Sequence, residues 1–355
     1  MTMSEHISAE RDWITIDGSL GEGGGQIVRT SLSLSCITGR PIRMINVRAG
    51  RPRPGLANQH LTAIRAAQDI SEARVDGAIL GSRGFTFEPN AVRAGEYSFD
   101  VGTAGSTTLV LQTITLPLAL TSGNSQVSIV GGTHNPMAPC YEYLEVVWGP
   151  LLALLGVHVQ LRLKRAGFYP VGGGRIEAGV ASAIGMGLRG CDLIERGGII
   201  SVDGFSAVAR LPRAVAERQA CRAEARLKAA GIRHLGIDIK EIGAASPGTV
   251  LFLHCRCRET PAAFFALGAR GRPAERVADE AVDQLIEFTG GDQAVDPHAA
   301  DQLVLPMALA RGPSSFTTTR VTEHLRSHID LLHQFLERPI KLLGRTGEAG
   351  RIEVE

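Results

Sequence analysis

Residues 13–50 read WITIDGSLGEGGGQIVRTSLSLSCITGRPIRMINVRAG. Alternating apolar residues in WITIDG predict a strand, SLGEGGGQ a tight glycine loop, and the run to Thr38 an amphipathic helix stopped by Gly39. IRMINVRAG reads as a second strand, and Pro54 then opens a second helix, PGLANQHLTAIRAAQDI. Two further strand-like runs, ARVDGAILG and GFTFEP, complete the order βαβαββ.

The same pattern returns from Glu96: strand EYSFDV, loop GTAGS, helix TTLVLQTITLPLALT, stop Gly123, strand SQVSIVGG and helix PCYEYLEVVWGPLLALLG. Strands VHVQLRL and GRIEAGV close it, separated by AGFYPVGGG. Near the C-terminus a third unit runs from His298 through DQLVLPMALA, strand SSFTTTRV, helix TEHLRSHIDLLHQFLE and hairpin IKLLG to GRIEVE. A repeat at matching offsets, rather than one identical in sequence, is how a stack of supersecondary units is recognised.

Residues 190–293 break the period. GIISVDGFSAVARL, PRAVAERQACRAEARLKAAG, LGIDIKEIG, TVLFLHCRC and PAERVADEAVDQLIEF read as an inserted small α/β domain. The expected fold is therefore α/β (α+β), with three repeated βαβαββ units around a pseudo-threefold axis in residues 1–189 and 294–355. Whether sheets or helices face outward is not decided by the pattern.

Composition narrows the class. Glycine contributes 42 of 355 residues without a G-X-Y period, so the excess reports turns and close approaches rather than collagen. With 37 basic and 36 acidic residues, overall charge does not announce a nucleic-acid or membrane binder. The six cysteines are scattered without C-x-x-C pairs, and MTMSEHISAERDW carries no apolar stretch, so a cytoplasmic protein without signal peptide is expected. The most apolar stretch, Thr107 to Thr121, contains Gln112 and Pro117 and is too short for a bilayer, so no membrane partner is expected. Trp13 and Trp148 read as core, and Cys255 and Cys257 as thiols on one face of a strand of the insert.

Several positions can carry chemistry. The loop at Gly21–Gly25 offers backbone N–H groups at a helix start to an anion, with Glu22 placed to hold a divalent cation and Arg29 one turn on. From Arg40 to Gln68 the chain is basic, and Arg48 and Arg51 lie at a strand end where guanidiniums can grip phosphate bidentately. Gln59 and His60 follow on the next helix; His60 reads equally as phosphate donor or satisfied buried histidine. His324 and His328 have the spacing of two metal ligands on one helix face, yet EHLRSH is not H-E-x-x-H. Metal ligation, surface histidines and a nucleophile all remain open on spacing alone.

Taken in order, DGSLGEGGGQIVR, RAGRPRPGL with QHL, GTAGSTTLVLQT, GGTHNPMAP, GFYPVGGG, ADQLVLPMALA and EHLRSHI resemble the RNA 3′-terminal phosphate cyclase family along essentially the whole chain. The resemblance implies three βαβαββ units with an inserted domain. It also implies an enzyme that uses ATP and Mg²⁺ or Mn²⁺ to convert an RNA 3′-phosphate to a 2′,3′-cyclic phosphate through a histidine–AMP intermediate, releasing pyrophosphate and AMP. By the same resemblance the nucleophile is His324, the metal-binding residue is Glu22, and Arg29, Arg48 and Arg51 bind phosphates. Gln59 and His60 would lie near the triphosphate or the RNA end. Gln112 would contact ATP, and His298, Ala299, Ala300, Asp301 and Gln302 would form the nucleotide-binding segment. In that segment Asp301 would orient His324 and Gln302 would reach adenine.

Two departures stand out. Where the family pattern is H-L-x-T-N, this chain has His324-Leu325-Arg326-Ser327-His328. Where a tyrosine often stacks on adenine opposite a proline matching Pro139, it has His298, a smaller stacking surface. A non-catalytic cyclase-like scaffold for RNA or ribosome assembly would lack the histidine, whereas His324, Glu22 and the arginines are present. An enolpyruvyl transferase would show six units in two halves rather than three and an unlike insert.

Overall fold

A computed structural model describes residues 12–21 and 24–355. The first unit comprises β1 (Ile14–Asp17), α1 (Gly25–Thr38), β2 (Ile42–Ile45), α2 (Asn58–Ser71), β3 (Arg74–Asp76) and β4 (Phe85–Glu88). The second has β5 (Glu96–Asp100), α3 (Thr107–Ala119), β6 (Ser125–Gly131), α4 (Tyr141–Tyr143), α5 (Gly149–Leu154), β7 (Val159–Arg165) and β8 (Gly174–Val180). A π-helical turn, Leu144–Trp148, joins α4 to α5. The turn falls just before Pro150, whose ring crowds the preceding carbonyls and cannot donate to them.

β9 (Asp192–Leu193) comes next. It is followed by β10 (Ile199–Ala209), α6 (Arg213–Ala229), β11 (Leu235–Glu241), β12 (Gly248–Cys257), β13 (Pro261–Leu267) and α7 (Ala274–Thr289). The chain ends with α8 (Pro297–Leu309), β14 (Ser314–Thr318), α9 (Glu323–Phe335), β15 (Ile340–Leu343) and β16 (Gly350–Val354).

Three four-stranded sheets run β1-β2-β4-β3, β5-β6-β8-β7 and β9-β14-β16-β15. In each, the first two strands pair in parallel and the others antiparallel. A parallel pair needs a crossover, which α1, α3 and α8 supply. The fourth sheet, β11-β10-β12-β13, has another order and belongs to the insert.

One boundary differs from expectation. Asp192 and Leu193, expected inside the insert, pair with Ser315 and Phe316 of β14. So short a strand has no readable alternation, and its partner lies far along the chain, beyond the whole inserted domain.

The helices face one another and the sheets face out. α1 packs on α2, α3 and α9, and α8 on α9; α3 is buried nearly all round, as a helix apolar on every side must be. β2 alternates buried and exposed residues, as a sheet wet on one face does. α1 ends where Gly39 takes φ 70° and returns its N–H to Ser35 O, a conformation glycine adopts without strain. Trp148 is core, but Trp13 is 39% exposed; it stands just ahead of β1, outside the strand's alternation.

Candidate active site

α1 and α9 pack together so that their first turns meet. Gln26, the second residue of α1, accepts a hydrogen bond from Nδ1–H of His324, the second residue of α9, at 2.6 Å. A carbonyl oxygen only accepts, so in the neutral ring the proton sits on Nδ1 and the lone pair on Nε2. Thr322 caps α9 by accepting from Leu325 N at 3.0 Å and donates to Asp301 Oδ1 at 2.8 Å. The expectation that Asp301 orients His324 is thus altered: Gln26 holds Nδ1, while Asp301 anchors the helix start that carries the ring.

The glycine loop fits between these groups by close approach. A Cβ at Gly24 would lie 3.2 Å from Arg51 Nη2 and 3.6 Å from His324 Cε1, so arginine and histidine flank that position. At Gly25 a Cβ would overlap His60 Nε2 and come within 2.9 Å of Arg29 Nη1. Glu22, the expected metal residue, lies outside the described residues.

Cations gather around this loop. Burial draws the Arg29 guanidinium down to about 10, still charged at neutral pH. Arg48 has φ 53° and donates from Nη1 to Gly55 O at 2.8 Å; the turn is closed by Arg51 N donating to Arg48 O. Burial first, then the charge of Arg51, lowers the pKa of Arg48. Among the described residues neither Arg29 nor Arg48 has a carboxylate partner. Arginines held close against mutual repulsion concentrate positive charge and N–H donors at this corner.

His60 is 2% exposed, and burial, followed by the charges of Arg29 and Arg48, pushes its pKa down to about 3. Its Nδ1 accepts from Ala57 N at 3.0 Å, so the neutral ring carries its proton on Nε2, against Gly25. Gln59 accepts from Ser106 N at 3.2 Å and ties this corner to the loop that opens α3.

A second cluster lies where α3 and α8 meet. Gln112 Nε2 donates to Gln302 Oε1 at 2.7 Å, so two residues 190 positions apart share one place. His298 is exposed in the first turn of α8. Asp296 caps that helix by accepting from His298 N and Ala299 N, and Tyr143 OH donates to both its carboxylate oxygens. Pro139 is half-buried, and its carbonyl accepts from Thr108 Oγ1.

Ala299 and Ala300, expected in the nucleotide-binding segment, are 2% and 0% exposed. Their methyls pack into the core, and Asp296 accepts both their N–H groups, which leaves them nothing to offer a ligand.

His328 does not join His324 on a metal. Its Nδ1 donates to Asp301 O at 2.7 Å and its Nε2 accepts from Thr30 Oγ1 at 3.2 Å. No group of three His, Cys, Asp or Glu side chains among the described residues is placed to hold a metal ion. The Ser327-His328 departure also has a structural account. An asparagine at 328 would offer an amide N–H donor and a carbonyl acceptor, and neutral imidazole likewise supplies a donor and an acceptor. Ser327 Oγ bonds back to Glu323 O and His324 O, and lies against Gly21.

The family model for RNA 3′-terminal phosphate cyclase matches residues 20–342. The chain belongs to that family. Proteins named RNA 3′-terminal phosphate cyclase from Ectopseudomonas mendocina and Methylococcus capsulatus are each 46% identical to it. The first alignment covers 92% of this chain and 93% of the relative, the second 91% of each. One from Salmonella enteritidis is 41% identical over 95% of this chain and 97% of its own. Among solved structures, an EPSP synthase from Acinetobacter baumannii aligns over 97% of this chain and 64% of its own, at TM-score 0.28 and 13% identity. That likeness is too slight to bear on fold or activity. No helix among the described residues is long and apolar enough to cross a membrane.

Sequence alone offered no role for Gln26, Thr30 or Thr322. Gln26 stands inside the quoted glycine loop, but its partner is 298 residues away. Only its place at a helix start beside the glycines marked it.

Proposed function

We propose that this chain is an RNA 3′-phosphate cyclase that uses ATP, with His324 as the nucleophile. The observation that carries the reading is the His324 imidazole held through Nδ1 by Gln26, beside Gly24 and Arg51. Imidazole with its lone pair on Nε2 is nucleophilic near neutral pH, and its phosphorus adduct remains reactive enough to pass the group on.

In the first step the Nε2 lone pair bonds to the α-phosphorus of ATP and the bond to the β-phosphate oxygen breaks, releasing pyrophosphate. A terminal RNA phosphate oxygen then attacks the same phosphorus and frees His324. Finally the neighbouring 2′-oxygen attacks the RNA phosphorus, gives up its proton, and expels AMP. Arg29, Arg48 and Arg51 meet the charge that builds on the phosphate oxygens, and His60 and Gln59 border the same space. Gln112, Gln302, His298 and Pro139 form the nucleoside end. A divalent cation, Mg²⁺ or Mn²⁺, would be held by Glu22 together with the triphosphate, a donor set of one carboxylate plus phosphate oxygens that suits Mg²⁺, and would offset charge on the leaving group.

His324→Ala is expected to abolish transfer of label from α-labelled ATP to the protein while its melting temperature stays near that of the wild type. Full labelling of the variant would remove His324 from the mechanism.

A further inference from the structure

Three of the large apolar side chains left in solvent belong to two neighbouring loops. Tyr169 is 73% exposed, Val171 59% and Met137 88%, and Met137 holds φ 61°, the left-handed region. These loops are not slack. Thr133 N and His134 N both donate to Gly167 O, and Gly167 N donates to Thr133 Oγ1. The rings of His134 and Phe168 stack with centroids 4.9 Å apart. On the other side Val171 N donates to Ser246 Oγ of the insert at 3.1 Å, and Ala166 bridges Ala244. Large apolar side chains exposed together on a rigid base are the kind of patch that marks an interaction surface.

The loop is joined to the catalytic corner. A Cβ at Gly172 would come within 2.7 Å of Ala104 Cα, and one at Gly105 within 3.0 Å of Gln59 Cβ. Ser106 N is bonded to Gln59, whose neighbour His60 meets Gly25 and Arg29. On the far side two exposed guanidiniums follow: Arg165 donates from Nε to Gly173 O at 2.6 Å, and Arg210 from Nη1 to Ala245 O at 3.2 Å. Neither has a carboxylate partner among the described residues, so each keeps N–H donors for an anion.

An exposed aromatic face beside arginines that have no carboxylate partner among the described residues is the recognition chemistry of a single nucleic-acid strand: bases stack, phosphates pair, and sequence matters little. We propose that Tyr169, with Arg165 and Arg210, forms the track on which the RNA strand upstream of the reacting 3′ end lies. Tyr169 stacks on a base and the two arginines hold backbone phosphates. The inference rests on the cyclase reading above. It gives the insert a task, because Arg210 and the Ala244–Ser246 segment form one wall of the track.

The test is steady-state cyclisation of a short 3′-phosphorylated oligoribonucleotide by Tyr169→Ala, Tyr169→Phe and Arg210→Ala, alongside protein labelling by α-labelled ATP alone. Tyr169→Ala should raise KM for RNA about tenfold, within the range base–aromatic stacking spans. Tyr169→Phe should restore it, since stacking needs the ring and not the hydroxyl. In equilibrium binding of the same oligoribonucleotide at several salt concentrations, Arg210→Ala should flatten the dependence of log Kd on log salt by about 0.7, one phosphate's share on a single strand.

An unchanged KM in Tyr169→Ala, or no recovery with Tyr169→Phe, would overturn the track. So would a loss of ATP labelling as large as the loss of cyclisation, because that marks a structural role. A wild type that is never labelled by ATP sinks the cyclase reading itself; a labelled, cyclising wild type with an indifferent Tyr169→Ala sinks only this inference.

Discussion

At neutral pH the imidazole of His328 is buried and uncharged, bonded to Asp301 O and Thr30 Oγ1. Burial is the largest cause of its low pKa. The bond to Asp301 O opposes it, the charges of Arg29 and His324 add to it, and the outcome is about 4 against an ordinary 6.5. As pH falls below 6.5 the unfolded chain takes up this proton first. The stabilisation is therefore whole above 6.5 and drains away down to about 4. A shift of that size costs about 2–3 kcal/mol by pH 4.5, at about 1.4 kcal/mol per pKa unit.

His328→Asn removes the titration but keeps a donor for Asp301 O and an acceptor for Thr30. The smaller side chain carries a packing cost of its own, yet that cost is the same at every pH. Urea unfolding of both proteins at pH 7 and pH 4.5 isolates the effect. The variant should gain about 2–3 kcal/mol on the wild type between the two conditions, while the similarly buried His60 cancels because both proteins contain it. A wild-type-minus-variant difference that is equal at both pH values would refute the claim that a buried neutral His328 shapes acid stability.

Two further outcomes follow from the first turns of α1 and α9. Gln26→Ala should slow enzyme–AMP formation about tenfold, the worth of one orienting hydrogen bond, whereas Gln26→Glu should shift the pH profile of adenylylation upward, because a carboxylate favours imidazolium. Single-turnover labelling across pH measures both, and wild-type rates and profile in both variants would dismiss Gln26. Gly25→Ala places a methyl into His60 and Arg29 and should cost about 1–3 kcal/mol of stability by overpacking together with most labelling; unchanged melting and labelling would contradict the close approach described.

Much of the fold could be read along the chain. Units one and two showed their order because most of their strands and helices are long enough to carry their own period, and Gly39 and Gly123 mark helix ends. Where reading stopped, the cause was local. β9 is two residues long, and the π turn before Pro150 is a backbone response to a neighbour rather than a pattern. Trp13 precedes β1 and escapes the burial its type suggests.

At the candidate site the residue types were legible and their partnerships were not. The arginines, the glycines and the histidine stood out because charge runs and glycine runs are local signals. That Gln26 fixes His324 and that Gln112 meets Gln302 are contacts between separate units. No spacing in one unit encodes them.

By itself, the sequence determined the mixed α/β class, the order of strands and helices along the first two units, and which side chains have the chemistry for phosphate and nucleophilic work. These depend on periodicity and on side-chain type, which are properties of short windows. Only the tertiary structure decided that helices face inward, because the packing of α1 against α3 and α9 is a sum over distant apolar faces. It alone turned Ala299 and Ala300 into the core and left Tyr169 in water. It also separated His324 from His328, two histidines of one helix: the first turns toward Gln26 and the glycine loop, the second is sealed between Thr30 and Asp301.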